Sequence, residues 1–281
     1  MNKYFENRAL AAEETKWWTT ATSEDFWKFA DKVQDETLDE ARHLFGHLAV
    51  ANKDTLQRIL IQYRFFTVYY IPDLAFIIAR LEDGAMRSFL ADILNDELGH
   101  GDPKNAHPVL YDKFLTTIDV DPSDIKAGAL QENINLLQEA RRQLVSDEYS
   151  TEFAIGLRGM GGECVCQVYI AELFAALSKN SIIKQNKNSI DWTFWDLHVG
   201  EHDIEHREET RRLIDEEIVQ KGGVGLQHLG AGYDASITSW KQFWKNIFDL
   251  KNIEPASKRL PKLVQVPPMS LSSLVSQRKA T

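Results

Sequence analysis

Apolar side chains recur every three or four residues along almost the whole chain, which is the spacing of a buried face of an α-helix. The clearest example follows Asp54, a residue type that favours helix caps, and its apolar positions are Leu56, Ile59, Leu60, Tyr63 and Phe66. No run of alternating apolar and polar residues is long enough to predict a β-sheet. The sequence therefore predicts an all-α fold.

We expect residues 1–254 to form one all-α domain. The chain has 281 residues and is 43% hydrophobic, which is enough for a sizeable core. The composition changes after Glu254, because the last 27 positions contain four of the eight prolines and five basic residues without an acidic one. We interpret residues 255–281 as a basic C-terminal tail, containing proline and serine, outside the domain.

The charge balance limits the kind of partner. The chain has 32 basic and 42 acidic residues, whereas a nucleic-acid-binding surface needs clustered lysine and arginine. We therefore expect a small-molecule substrate and no nucleic acid; a homodimer is one option for the oligomeric state. The first 14 residues carry no basic segment followed by an apolar run, and no stretch approaches the ~20 apolar residues of a membrane span. We expect a cytoplasmic protein without a membrane partner.

One short segment concentrates histidine and acidic side chains. His198, His202 and His206 are four residues apart, so a continuous helix would align them along one face. Acidic residues lie beside them: Glu201, Asp203, Glu205 and Glu209. The preceding residues 192–195, Trp-Thr-Phe-Trp, are strongly apolar, which indicates that part of this face points inward. Buried imidazoles and carboxylates need partners, so other segments should supply matching groups.

A second segment places such groups near an apolar helix. Glu97 follows Ile93 and Leu94 by one helical turn, so its carboxylate should share their inward face. His107 comes ten residues later, beyond a Gly-Asp-Pro break that allows both side chains to turn toward one centre, and His100 is its alternative. Carboxylates and imidazoles from several inward-facing helices are typical of non-haem iron or manganese sites. A single glutamate in a helix is more often exposed or paired with a basic residue.

A glycine-rich apolar helix contains a third acidic candidate, Glu163. Four glycines precede it: Gly156, Gly159, Gly161 and Gly162. Each glycine costs a helix about 1 kcal/mol relative to alanine, so we expect them to permit a close backbone approach or to leave room for a ligand. Arg158 on the same helix is a candidate anchor for a substrate carboxylate, and a surface ion pair is its ordinary alternative.

Together these segments resemble a known family. The run Asp-Glu-Leu-Gly-x-Gly-Asp at residues 96–102, followed by His-Pro-x-Leu-Tyr at residues 107–111, is the most specific part. With Glu163 and His198 it is similar to the haem-oxygenase-like diiron oxidases and oxygenases, over about residues 56–213. The same fold superfamily includes thiaminase II and pyrroloquinoline quinone synthase. The resemblance implies a haem-oxygenase-like bundle of seven to eight helices in which three core helices hold two irons.

The resemblance also implies an activity. It predicts a non-haem diiron oxidoreductase that binds two Fe(II) ions per chain and uses O2 as co-substrate. The substrate would be an amino acid, an amine or another carboxylate. The outcome would be oxidative cleavage, desaturation or N-oxygenation. Some N-oxygenating members add a glutamate on the preceding core helix, and the corresponding stretch here offers only Asp73.

Carried over residue by residue, the resemblance implies that Glu97, His107, Glu163 and His198 bind metal. The family usually continues with Asp four residues after this last histidine and His three residues later, which here would select His202 and Glu205 with the residue types exchanged. A π-bulge near Gly200 would absorb one residue. The frame would then be His198, Asp203 and His206, which we prefer, with His202, Glu205 and His100 as alternates.

Two readings from other functional classes stay open. A thiaminase-like hydrolase would need no metal and would use Cys164 or Cys166 as its nucleophile. Two cysteines this close in sequence are poorly placed for a disulfide with each other, and buried cysteines are most often small core residues. The other alternative is a metal-binding protein without catalytic activity.

Overall fold

The computed structural model describes residues 16–249, apart from the side chains of Ala127 and His202. This range contains helices and turns and no β-strand, which confirms the predicted all-α fold. The first seven helices are α1 (Trp17–Thr20), α2 (Phe26–Val50), α3 (Lys53–Arg80), α4 (Ala85–Glu97), α5 (His107–Thr117), α6 (Pro122–Ala127) and α7 (Gln131–Val145). The predicted tail at residues 255–281 lies outside the described residues.

The second half of the described range contains two π-helical segments among its α-helices. The first, Ile155–Cys164, is called the glycine-rich π-segment below. In chain order the elements are α8 (Thr151–Ala154), the glycine-rich π-segment, α9 (Val165–Leu177), α10 (Ser181–Asn186), α11 (Thr193–His198), α12 (Glu201–Ile214), the π-segment Asp215–Val219 and α13 (Gly223–Phe248).

Helix α3 is central to the bundle and packs against α4, α5, α7 and the glycine-rich π-segment. Its cap is Asn52, whose side chain accepts a hydrogen bond from the backbone N–H of Thr55. The predicted cap, Asp54, instead lies in the first turn, where an acidic side chain also suits the helix dipole. The helix continues through Pro72, so Pro72 does not start a new helix.

Glycine allows the glycine-rich π-segment to pack closely on α13. A Cβ atom added to Gly156 would meet the backbone of Leu229, and one added to Gly161 would meet the Ser236 hydroxyl. The indole N–H of Trp240 donates to the Gly161 carbonyl at 3.1 Å. The predicted close backbone approach is therefore confirmed, and it offsets the weak helix propensity of these glycines.

The predicted π-bulge near Gly200 is wrong. Helix α11 ends at His198 and α12 begins at Glu201, so two residues break the expected continuous helix. Gly200 has φ −85° and ψ −176°, an extended conformation that no helix tolerates. A Cβ atom there would lie 2.7 Å from the Asp196 carbonyl oxygen, which explains why glycine suits the break.

Two left-handed glycines separate α13 from the preceding π-segment. Gly222 and Gly223 have φ of +63° and +67°, which glycine adopts at little cost, and α13 begins at Gly223.

One helical stretch, Thr151–Leu177, is long and apolar enough to cross a membrane by length and composition alone. The composition had indicated no such stretch. Its most apolar window is 56% buried inside the protein. Such burial is typical of a core helix, whose apolar faces are covered by neighbouring helices.

Candidate metal centre

Three predicted ligands converge from three different helices. Glu97 is the last residue of α4, His107 is the first of α5 and His198 is the last of α11. Their ligand atoms all lie within 4.8 Å of one another. Both imidazoles are buried, and the glutamate is partly buried. Carboxylate oxygen and imidazole nitrogen in one buried group are the donor types of non-haem iron sites.

The turn between α4 and α5 brings Glu97 to His107. Gly99 and Gly101 have φ of +83° and +87°, which glycine adopts at little cost. A Cβ atom at Gly99 would lie 2.4 Å from the Asp102 carbonyl oxygen, so the tight reversal requires glycine there. The reversal leaves His107 Nδ1 3.1 Å from Glu97 Oε2. The Gly-Asp-Pro break therefore lets both side chains turn toward one centre, as the sequence predicted.

His198 presents one defined nitrogen to the site. Its Nδ1 lies 2.7 Å from the Phe194 carbonyl oxygen, and a carbonyl can only accept, so Nδ1 carries the hydrogen. The ring also stacks on Phe194, with ring centroids 4.0 Å apart. Burial lowers the pKa of His198 to about 4. The imidazole is therefore neutral, with a free lone pair on Nε2, which is the form that binds metals.

His107 carries a different charge. Burial alone lowers the pKa of His107, but attraction to Glu97, Asp96 and Asp203 outweighs it and raises the pKa to about 9. Its Nδ1 lies 3.1 Å from Glu97 Oε2, so the protonated ring and the carboxylate form an ion pair. A metal ion bound by both side chains would replace the proton of this pair.

Three other predicted ligands line the same cavity: Glu163, Asp203 and His206. Burial raises the pKa of Glu163 to about 7 and that of Asp203 to about 8, and repulsion from neighbouring carboxylates adds to both increases. Without a cation, the protein therefore stores protons on these acids. A metal ion would replace those protons, as expected when carboxylates bind a cation.

Tyr70 of α3 holds Glu163 in place. Its hydroxyl donates a short hydrogen bond to Glu163 Oε1. A Cβ atom on Gly162 would overlap the Tyr70 ring, so glycine at this position makes room for the tyrosine. This fourth glycine therefore shapes the metal cavity, whereas Gly156 and Gly161 serve the packing of α13.

The cavity has a volume of about 30 Å³, which is room for one or two water-sized groups. Its wall includes residues that the sequence analysis did not propose for the site: Tyr63, Phe66, Thr67, Tyr70, Asp96, Cys166, Gln167 and Ile170. Tyr63, Phe66 and Tyr70 are three, four and seven residues apart, so their common helical face on α3 was the available signal.

Among the alternate ligands, His100 and Glu205 do not line the cavity. His100 lies outside the cavity wall, with its side chain 63% exposed and paired with Asp96 at 2.9 Å. Glu205 is exposed on α12. The side chain of His202 lies outside the described part of the structure.

Arg158 does not line the cavity, so the geometry gives no support to its role as a substrate anchor. The other prediction for Arg158, a surface ion pair, is wrong, because the side chain is buried and binds Asp73 at 3.0 Å. Arg141 binds the other oxygen of Asp73 at 2.7 Å. Asp73 is therefore committed to two arginines and does not extend the ligand set.

Neither cysteine has the properties of a nucleophile. Burial raises the pKa of Cys164 to about 12 and places that of Cys166 well above its ordinary value. Both thiols are protonated at neutral pH, whereas a cysteine nucleophile reacts as the thiolate. The burial of both thiols thus argues against the thiaminase-like alternative.

The residues present fit iron. The group of Glu97, His107 and His198 supplies three donors of suitable chemistry, and Glu163, Asp203 and His206 bring three more to the same cavity. A set of carboxylates and imidazoles from facing helices can hold one or two metal ions.

Comparison with known proteins agrees with this chemistry. A family model of the haem-oxygenase type, described as an iron-containing redox enzyme, matches residues 57–232. The matched range includes every candidate ligand from Glu97 to His206. No curated protein matches the chain significantly.

Proposed function

The chain belongs to the haem-oxygenase-like family of iron-containing redox enzymes, and from this premise we propose that it is a non-haem diiron oxidoreductase that uses O2 to oxidise a small molecule. The observation that carries the proposal is the buried group of Glu97, His107 and His198, whose ligand atoms all lie within 4.8 Å of one another. Carboxylate and imidazole donors from facing helices are typical ligands of non-haem iron.

The ligands divide into two groups. Glu97, His107 and His198 would hold the first iron, since their ligand atoms are already within 4.8 Å of one another. Glu163, Asp203 and His206 would complete the site for a second iron in the same cavity. Bound iron would supply the redox chemistry with O2.

The protein itself orients ligands and excludes water. The Phe194 carbonyl fixes the tautomer and the direction of His198, and the Tyr70 hydroxyl fixes Glu163. Tyr63, Phe66 and Tyr70 form an aromatic wall at the cavity. Outer hydrogen bonds of this kind commonly change metal affinity or activity by about 10–100-fold when removed.

The proposed substrate is an amino acid, an amine or another carboxylate, and the outcome is oxidative cleavage, desaturation or N-oxygenation. N-oxygenation has the least support, because Asp73 binds two arginines and adds no ligand. The cavity of about 30 Å³ admits only the reacting end of such a molecule unless the site opens.

Anaerobic reconstitution tests this function. Metal-free protein is loaded with Fe(II), freed of excess metal and analysed for iron, and O2 uptake is then recorded with panels of amino acids, amines and carboxylates. We expect about two irons per chain and iron-dependent O2 consumption. Iron far below this ratio would contradict the two-iron site. Full iron without O2 consumption for any substrate would favour the non-catalytic metal-binding alternative.

A further inference from the structure

Tyr63 and Cys166 meet directly inside the candidate metal centre. The Tyr63 hydroxyl oxygen lies 3.1 Å from Cys166 Sγ. Tyr63 belongs to α3 and Cys166 to α9, so the contact joins two helices that are far apart in the sequence. The sequence analysis assigned a role to neither the pair nor the tyrosine.

The pair lies at the site where oxidation would occur. Both side chains line the same cavity as Glu97, His107 and Glu163. The ligand atoms of Glu97, His107 and His198 all lie within 4.8 Å of one another, which is a grouping suited to a metal ion in this cavity. A cysteine thiol is readily oxidised, and the electron-rich ring of a tyrosine is a suitable partner for oxidative coupling to it.

The surroundings hold the two groups together. The Tyr63 ring packs edge to face on Tyr111, with centroids 5.5 Å apart, and stacks parallel to Trp244 at 6.1 Å. Tyr63 is 1% exposed, so its ring has no free space in which to turn away.

We propose that Tyr63 and Cys166 become joined by a thioether bond between Sγ and the ring carbon next to the hydroxyl. The bond would form once in each chain, when the iron-loaded site first reacts with O2. The inference rests on the proposed function, because dioxygen at that centre is the oxidant. The target carbon is bonded to the carbon that bears the hydroxyl, and the hydroxyl oxygen lies 3.1 Å from the sulfur.

The reaction balances as a two-electron oxidation. The S–H bond of Cys166 and one C–H bond of the Tyr63 ring break, and one C–S bond forms. The two hydrogen atoms, with their two electrons, pass to O2 and give hydrogen peroxide. The product tethers α3 to α9 across the cavity and removes a free thiol from an oxidising site.

Peptide mapping of the full chain tests the bond. Metal-free protein is divided into three samples: untreated, Fe(II) without O2, and Fe(II) followed by O2, with O2 uptake recorded in the last. Trypsin cleaves after lysine and arginine, so Tyr63 lies in the peptide of residues 59–64 and Cys166 in that of residues 159–179. We expect only the third sample to contain these two peptides joined, with two hydrogen atoms fewer than their sum.

Three variants locate the bond. Cys164 lies on the same tryptic peptide, so Cys164→Ser is the matched control and should retain the link. Cys166→Ser and Tyr63→Phe should lose it while the iron content shows that the site is still formed. The peptide map of the wild-type protein shows by itself whether the link forms. The proposal is therefore tested even if a variant misfolds.

The outcomes separate the two proposals. Linked peptides would support the thioether. O2 uptake with unlinked peptides, or with oxygen atoms added to Cys166 instead, would overturn the thioether and leave the proposed function standing. No O2 uptake by iron-loaded protein, either in this experiment or with the panel of substrates, would overturn both.

Discussion

The imidazole rings of His107 and His198 lie edge to face, with centroids 4.6 Å apart, yet their pKa values move in opposite directions. Burial lowers the pKa of His198 to about 4. The same burial acts on His107, but attraction to Glu97 and neighbouring acids raises its pKa to about 9. In the metal-free protein one ring is therefore a cation at neutral pH and the other a neutral ligand.

Removal of His198 should weaken iron binding. His198→Ala deletes one of three converging donors, and we expect the Fe(II) affinity to fall at least about tenfold, the scale seen even for outer ligand partners. Anaerobic titration against a competing chelator measures the affinity. His43→Ala is the matched control, because His43 is an exposed histidine on α2. Equal affinities in the two variants would show that His198 is not a ligand.

Tyr70→Phe should shift the pH at which metal binds. Burial raises the pKa of Glu163 to about 7, and the hydrogen bond from Tyr70 opposes that increase. Loss of the donor should therefore raise the pKa of Glu163 further, so that iron competes with a more tightly held proton. The midpoint of Fe(II) binding against pH should move upward. Tyr149→Phe, outside the cavity wall, should leave it in place.

Metal-free protein should lose stability as the pH rises from about 6.5 to 9. The folded pKa of His107 is raised to about 9, so its stabilising contribution is complete below its unfolded pKa and disappears through this window. Asp203 has a folded pKa of about 8, so the fold favours its neutral form. Its contribution to stability also decreases as the pH rises toward 8. Thermal unfolding at several pH values measures the slope.

Asp203→Asn should flatten that slope, because the amide does not titrate. Bound metal should reverse the trend, since it requires the deprotonated ligands. An unchanged melting temperature between pH 6.5 and 9 in the metal-free protein would contradict the assigned shifts.

Asp73→Asn should destabilise the fold strongly. Asp73 is 0% exposed and binds both Arg141 and Arg158, so the variant leaves two buried guanidinium groups without a counter-charge. We expect the free energy of unfolding to fall by about 3–5 kcal/mol, measured by urea denaturation. Glu139→Gln removes a carboxylate from a half-exposed pair with Arg142 and should cost no more than about 1 kcal/mol.

Gly162→Ala should disturb both the fold and the site. Its Cβ atom would overlap the Tyr70 ring, and such overpacking typically costs about 1–3 kcal/mol. Displacement of Tyr70 should also weaken Fe(II) binding by freeing Glu163. Gly46→Ala is the opposite case, because its Cβ atom meets nothing within 4 Å and α2 should gain about 0.5–1 kcal/mol. Calorimetry and metal titration follow the two effects separately.

The fold class and much of the cavity could be predicted from the sequence. Helical spacing predicted the all-α fold, and it placed Glu97 on an inward face. The resemblance added His107, Glu163 and His198, all of which line the cavity. Asp203 and His206 also line the cavity. A break between α11 and α12, rather than the predicted π-bulge, brings them there.

The remainder depends on contacts between distant segments. The pairing of Asp73 with Arg158 spans 85 residues, and no local pattern distinguishes a buried guanidinium from a substrate anchor. Tyr63 and Tyr70 match the apolar spacing of α3 equally well as core residues and as cavity residues. The helix break at Gly200 results from one extended ψ angle of −176°. The spacing of apolar residues in the sequence does not predict such an angle.

Val199 and Gly200 separate α11 from α12, so the donors fall on two sides of a helix break. The ligand atoms of Glu97, His107 and His198 already lie within 4.8 Å of one another, whereas Asp203 and His206 follow the break on α12. We expect an iron titration to show two distinct affinities, with the group of Glu97, His107 and His198 filled first.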